Sequence, residues 1–367
     1  NHLNKSFLSE DLKSFLPEIS GNFSNDSNIF SRFWTKAIKH KKKLKAESIK
    51  KRDLREINEY LNITKKIFLN NYALDIYKKI TNNFKDYIRV EDLCFLANNI
   101  VPFINPSQDE INAENKLFLK DKEGLEISHG IFLSSVLSNK ESGMHLCKAM
   151  LLPTELSLNF QEDFISKGKV SFDGALVEDF DDYSLVTLDN PEYLNAEDNR
   201  TLLPLEAAID LSIMNKNTNI SVLRGCKVSH PKYLGRRIFG AGINLTHLYE
   251  GKIPFLWYIT RDMGAVNKVL RGHSNKNTDI ESALFPHKNK IWFACLETFA
   301  IGGGCQYLLV MDHILADKKS YMTLPARKEG IIPGAANLRL WRYVGNRVAR
   351  QAIQHGLTIY ADSFNGN

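Results

Sequence analysis

The sequence predicts an α/β protein carrying an added all-α N-terminal domain. Two observations say so: apolar residues recur at helical spacing up to about residue 152, and beyond about 169 short β-branched runs alternate with helical stretches. A third feature points to chemistry. Residues 299–310, Phe-Ala-Ile-Gly-Gly-Gly-Cys-Gln-Tyr-Leu-Leu-Val, place a triple glycine at the entrance to an apolar helix, where a backbone lacking Cβ atoms can approach a developing negative charge.

In chain order, Phe30, Phe33, Trp34, Ala37 and Ile38 form one apolar helical stripe, and Ile57, Tyr60, Leu61, Ile67 and Phe68 form a second. Between them Lys36 to Arg55 is strongly basic, with Lys41-Lys42-Lys43 and Lys50-Lys51-Arg52. It lacks interleaved aromatics and includes Glu47 and Asp53, with Glu56 following, so it reads as the solvated face of an amphipathic helix; an inter-subunit contact or a polyanion site are the alternatives. Pro102 to Glu126 reads as a loop, and Ile131 to Leu151 resumes a helical period before Pro153. The domain boundary is expected at 155–170, giving a helical domain over 1–160 and an α/β domain over 161–367.

Lys169–Phe172 and Tyr183–Leu188 read as strands, followed by a helix from about Leu203 to Met214 with Pro204 in its first turn. Ile220–Gly225 is the next strand, and Ile291–Leu296 precedes the triple glycine. The polar stretch His273–Lys290 reads as a loop, and the last readable helix is Asn346–His355.

Composition narrows the function classes. The chain has 367 residues, 43% of them hydrophobic, a net charge of +6 and no apolar run near the roughly 18 residues that span a bilayer. No secretion signal is visible at Asn1–Lys5, and the five cysteines (Cys94, Cys147, Cys226, Cys295, Cys305) are scattered without a C-x-x-C pair, as in a reducing compartment. A cytoplasmic protein with no membrane or nucleic-acid partner is expected. No histidine or cysteine spacing suits a metal, and Gly240-x-Gly242 lacks the third glycine and the acidic residue of a dinucleotide loop.

Upstream of the triple glycine a second tight turn, Phe239-Gly240-Ala241-Gly242-Ile243-Asn244-Leu245, can offer another backbone amide. Two amides converging on one oxygen make an oxyanion hole, suited to enolates and acyl chemistry. With Leu188–Ala196 and Ile331-Ile332-Pro333-Gly334, the two turns resemble the crotonase superfamily over roughly residues 180–360. The resemblance implies a ββα-repeat core, oxyanion donors at Ile243 and Gly303, a homotrimer or dimer of trimers, and C-terminal helices that would follow this chain's end at Asn367.

Hydratases of that superfamily carry one glutamate two positions after the triple glycine and another eight residues before the glycine of Ile-Pro-Gly. Here those positions are Gln306 and Ala326, and neither side chain can exchange a proton near neutral pH. The segment Ser320–Leu340, Gly-Gly-Gly-x-Gln at Gly302–Gln306 and Asn195-Ala-Glu-Asp198 resemble instead the superfamily's cofactor-independent dioxygenases of arylacetyl-CoA thioesters, of the 3,5-dihydroxyphenylacetyl-CoA type. That resemblance implies dioxygen as co-substrate, no metal or other cofactor, and an arylglyoxylate with free CoA as products. It puts Glu197, Arg261 and Gln306 against the aryl ring, and Ala326, Ile331 and Leu245 around an apolar oxygen pocket. Lys232, Arg236 and Arg237 precede the first turn closely enough to meet the CoA phosphates.

Structural readings stand beside these: a helix-dipole partner for Glu197, a core hydrogen bond for Gln306, a helix-surface position for Arg261, core packing for Ala326 and Ile331, and solvation for the three cations. A crotonase-fold isomerase, thioesterase or decarboxylase, or a non-catalytic scaffold in a biosynthetic complex, are the functional alternatives.

Overall fold

The computed structural model describes residues 16–46, 51–283, 290–332 and 334–363, without the side chains of 51–53 and 282. Outside it lie the N-terminal pentapeptide, Glu47, Lys50, the side chains of Lys51, Arg52 and Asp53, positions 284–289 of the polar stretch, Pro333 and the last four residues. The chain forms two compact units, Asn1–Ala149 with Pro254–Leu256, and Met150–Ile253 with Trp257–Asn367.

The first unit is helical: α1 (Phe23–Ala46), α2 (Lys51–Ile80), α3 (Val90–Ile100), α4 (Gln108–Glu114), α5 (Ile127–Ser138) and α6 (Lys140–Met150), whose last residue passes into the second unit. The apolar stripes do what their spacing demands. Phe30, Phe33 and Trp34 of α1 and Phe68 of α2 are fully buried, and Trp34 Nε1 donates to Thr64 Oγ1 at 3.0 Å. The expected loop at 102–126 contains α4, which Ser107 and Glu110 start with a reciprocal capping box; a readable S-x-x-E signal was masked by polar composition. Nor is the basic face of α1 wholly solvated, because Lys41 is 7% exposed and pairs with Glu123 at 2.7 Å.

The second unit opens with α7 (Glu155–Asn159) and α8 (Gln161–Lys167), both within the 155–170 window. Thr154, which caps α7, bonds the buried carboxylate of Asp210 through N (2.8 Å) and Oγ1 (2.9 Å), tying this segment to the sheet-packed helix that carries Asp210. A six-stranded sheet has the order β1-β2-β3-β4-β5-β7, from β1 (Lys169–Phe172), β2 (Ala175–Phe180), β3 (Tyr183–Leu188), β4 (Ile220–Gly225), β5 (Ile291–Leu296) and β7 (His313–Ala316). The first three strands are antiparallel, while β3, β4, β5 and β7 run parallel. Five of six β3 residues are buried, as a central strand covered on both faces requires. β2 went unread because Glu178, Asp179 and Phe180 blur its alternation.

Helix α9 (Asn199–Met214) packs on this sheet through Ala208, Ile209 and Leu211. It starts four residues before the expected Leu203, because Asp198 accepts from Arg200 N and Thr201 N and makes a capping box; Pro204 therefore lies inside the helix, not in its first turn. α10 (Leu245–Tyr249), α11 (Phe255–Arg261), a π-helical turn at Asp262–Val266 and α12 (Asn267–Arg271) come next. A second sheet, β6-β8-β9, joins β6 (Phe299–Ile301), β8 (Tyr321–Thr323) and β9 (Ile359–Tyr360). β6 leads directly into α13 (Gly303–Leu308), and the chain closes with α14 (Ala326–Glu329) and α15 (Gly334–His355). α15 is kinked at Gly345 (φ +75°), which is why only its second half was readable.

Candidate active site

The two glycine turns lie backbone against backbone. Ile301 N donates to Gly240 O at 2.8 Å and Phe239 N to Phe299 O at 3.2 Å, so residues 239–240 run alongside β6. Gly242 has φ +82°, and a methyl built on it would stand 2.9 Å from Ile301 O and 3.1 Å from Gly303 N. Only glycine allows this approach.

Backbone hydrogen bonds pin each turn. Around Ile243, Glu197 N donates to Gly242 O (2.7 Å) and Asn244 N to Glu197 O (2.8 Å). Asn244 Nδ2 and His247 Nδ1 both bond Asp198 Oδ2 at 3.0 Å, which fixes the turn to the capped end of α9. Around Gly303, Gly302 N donates to Thr323 O (3.0 Å) and Gly303 O accepts from Arg261 Nη2 (2.8 Å). Among the described residues neither Ile243 N–H nor Gly303 N–H has a hydrogen-bond partner. Two unspent donors on abutting turns are suited to an anionic oxygen.

Arg261 and Glu197 form the charged floor of the site. Arg261 is 2% exposed and Glu197 5%, and they pair in bidentate fashion, Nε to Oε1 at 2.7 Å and Nη2 to Oε2 at 2.9 Å. Arg261 Nη1 also donates to Asp262 Oδ1 at 2.8 Å, and its guanidinium lies 4.7 Å from the Tyr307 ring centroid. Burial works against the charge, but Glu197, Tyr307 and Asp262 together raise the guanidinium above its ordinary value. Burial, and then the Glu197 charge, pushes the Tyr307 hydroxyl well above the usual phenol range; that hydroxyl has no hydrogen-bond partner among the described residues. Arg261 is thus no helix-surface residue, and Glu197 gives its side chain to Arg261 and its backbone to the first turn.

Gln306 Oε1 accepts from Ala335 N at 3.2 Å, while its Nε2 has no partner among the described residues. A methyl built on Gly334 would lie 3.2 Å from Asp262 Oδ2 and 4.0 Å from Gln306 Oε1, which places Asp262 beside Gln306. Asp262 and Tyr307 escaped the sequence reading, because the helical run around Arg261 was not recognised and Tyr307 looked like one more apolar helix residue.

The residues expected around oxygen also converge. Ile243, Leu245 and Ile331 pack on a cluster of Leu248, Ile253 and Trp257, and Ile331 N donates to Ala326 O at 2.9 Å. Ala326 is 8% exposed. Arg236 and Arg237 line a cleft of about 600 Å³ with Lys227 and Lys319, and Arg237 lies 3.8 Å from Glu297. Lys232 lies instead over the Tyr233 ring, at 5.2 Å. Among the described residues no three His, Cys, Asp or Glu side chains are grouped to hold a metal ion, and no helix is long and apolar enough to cross a membrane.

Abutting glycine turns with unpaired amides, set beside a mostly parallel sheet, offer a backbone frame on which an anionic oxygen can be bound. Residues 183–364 match the enoyl-CoA hydratase/isomerase family, and the chain belongs to it, the crotonase superfamily. It is 40% identical over 292 residues to (3,5-dihydroxyphenyl)acetyl-CoA 1,2-dioxygenase from Amycolatopsis orientalis, covering 79% of this chain and 66% of that protein. It is 26% identical over 178 residues to 2,3-dehydroadipyl-CoA hydratase from Escherichia coli, covering 48% of this chain and 60% of that protein. The chain therefore spans less than two thirds of either curated relative. Among solved structures, a probable enoyl-CoA hydratase/isomerase from Mycobacterium abscessus aligns with TM-score 0.40 and 23% identity, over 53% of this chain and 65% of that one.

Proposed function

We propose that the protein is an oxygenase of an arylacetyl-CoA, of the 3,5-dihydroxyphenylacetyl-CoA type, that works without metal or organic cofactor. The observation that carries the reading is the pair of unspent N–H groups on abutting turns, in a site whose two hydratase carboxylate positions hold Gln306 and Ala326. Such a site can stabilise an enolate but lacks the acid and base that hydrate a double bond at those positions. The relative that is a dioxygenase by name, at 40% identity, supports the same choice over the hydratase at 26%.

In this mechanism the thioester oxygen sits between Ile243 N–H and Gly303 N–H. Loss of a proton from the carbon between ring and thioester gives an enolate, which each donor stabilises by about 3 kcal/mol. The enolate carbon reacts with dioxygen held against Ala326, Ile331 and Leu245. The resulting peroxide attacks the thioester carbonyl and the C–S bond breaks, expelling CoA thiolate, which takes up a proton; the second α-hydrogen then leaves as a proton as the O–O bond cleaves, giving the arylglyoxylate with both oxygen atoms in the acid.

Gln306 Nε2 is available to a ring hydroxyl, and the Glu197–Arg261 pair acts as one polar unit behind it, holding the Gly303 carbonyl so that the preceding amide points at substrate. Arg236 and Arg237, with Lys227 and Lys319 in the same cleft, suit the CoA phosphates, and Lys232 lies nearby in sequence. Exposed Leu338, Trp341 and Tyr343 on α15 support self-association, as a homotrimer or dimer of trimers.

Ala326→Glu tests the pocket. A carboxylate in that hollow is expected to lower oxygen uptake by about 100-fold or more while leaving exchange of the substrate α-proton measurable by NMR. Unchanged uptake sinks the pocket assignment.

A further inference from the structure

The helical unit holds a second polar cavity, of about 190 Å³, that the acyl-CoA reading does not use. Four lysines line it, Lys41, Lys42 and Lys45 from α1 and Lys65 from α2, together with two glutamates. Both glutamates already have partners, Glu123 among the lysines of the cavity itself. Glu123 pairs with Lys41 at 2.7 Å and also with Lys45, and Glu110 closes the capping box of α4 by accepting from Ser107 N at 3.0 Å.

Lys65 is left as a buried amine with a neutral partner. It is 7% exposed, its Nζ donates to Ser128 Oγ at 2.8 Å, and no carboxylate lies within 4.0 Å of it among the described residues. An ammonium in this position calls for an anion. Burial lowers its pKa to about 7, Glu110 opposing that shift and Lys41 adding to it.

Asn105 lines the same cavity and is 4% exposed. Its Nδ2 donates to Cys94 O at 2.8 Å, whereas its Oδ1 is buried without a partner among the described residues. An amide oxygen can only accept, so its missing partner carries a donor. A ligand that answers both groups presents an oxyanion to lysine and an O–H to an amide carbonyl. Sulfate and carboxylates lack that O–H near neutral pH, whereas inorganic phosphate keeps it in both its mono- and dianionic forms.

We propose that this cavity binds inorganic phosphate, with its charged oxygens on Lys65 and Lys42 and its P–O–H donated to Asn105 Oδ1. The assignment is independent of the acyl-CoA reading.

The test is calorimetric titration of the full chain with inorganic phosphate, sulfate and glycerol 3-phosphate in phosphate-free buffer at fixed ionic strength. Saturable phosphate binding is expected, with sulfate about tenfold weaker or worse, the scale of one hydrogen bond to a charged ligand. Lys65→Met should weaken phosphate by about tenfold or more, and Lys42→Ala, at an exposed position, should weaken it severalfold without changing the melting temperature. Absence of saturable heat, equal affinity for sulfate, or phosphate affinity unchanged in both variants overturns the proposal. Tighter binding of glycerol 3-phosphate overturns it in favour of an esterified phosphate.

Discussion

A methyl group added at Gly303 would stand 2.5 Å from Glu197 Oε2 and 3.3 Å from Arg261 Nη2. Gly303→Ala must therefore displace a buried ion pair and, with it, the backbone amide proposed as an oxyanion donor. We predict a fall in kcat of about 100-fold or more, since one such donor is worth about 10²–10³, together with a lower melting temperature. Oxygen uptake and calorimetry on the same preparation check both; wild-type turnover with only the melting temperature lowered would remove Gly303 from the chemistry. At this scale the sequence was informative where a residue type is rare and constrained. Gly302–Gly304 and Gly240–Gly242 announced themselves, and Gln306 and Ala326 spoke through what they cannot do. The ion pair was hidden, because Glu197 and Arg261 are separated by 64 positions and nothing local couples them.

Among elements, α2 shows how one face can serve packing and chemistry together. Phe68, Leu69 and Ile76 fill the helical core, while Lys65 on the same helix is buried as an amine. With its folded pKa lowered to about 7 and an unfolded value near 10.5, Lys65 binds fewer protons in the native state than in the unfolded state between those pH values. Stability should rise with pH across that window and be lowest below about 7, where the buried amine must carry its charge. In Lys65→Met the slope of unfolding free energy against pH from about 7 to 10 should flatten, as read from urea midpoints; an unchanged slope would mean that Lys65 keeps its ordinary pKa. Elements with a clean period were legible, as with β1, β3, β4, β5 and the two long N-terminal helices. Where charge, a capping box or the Gly345 kink intervenes, as in β2, α4, α9 and α15, the element or its start was missed, since a periodic pattern cannot show where a cap or a break overrides it.

Across the whole molecule, the second unit alone supplies both glycine turns, the Glu197–Arg261 pair, Gln306 and the Ala326–Ile331 segment. Its α/β class was legible because strands and helices alternate beyond residue 169, and the helical class of the first unit was legible from its stripes. The hydrogen bonds from Thr154 to Asp210, which tie the cap of α7 to α9, connect residues 56 positions apart, and no local pattern shows them. The central claim concerns what the assembled site does with oxygen. Its most direct measurement is dioxygen consumption by the purified, chelator-treated chain on 3,5-dihydroxyphenylacetyl-CoA, with mass analysis of the products. The account predicts one dioxygen consumed for each CoA released and each arylglyoxylate formed, with both oxygen atoms from labelled dioxygen in the acid. Release of CoA without oxygen uptake, giving the arylacetic acid, would contradict it and make the site that of a thioesterase.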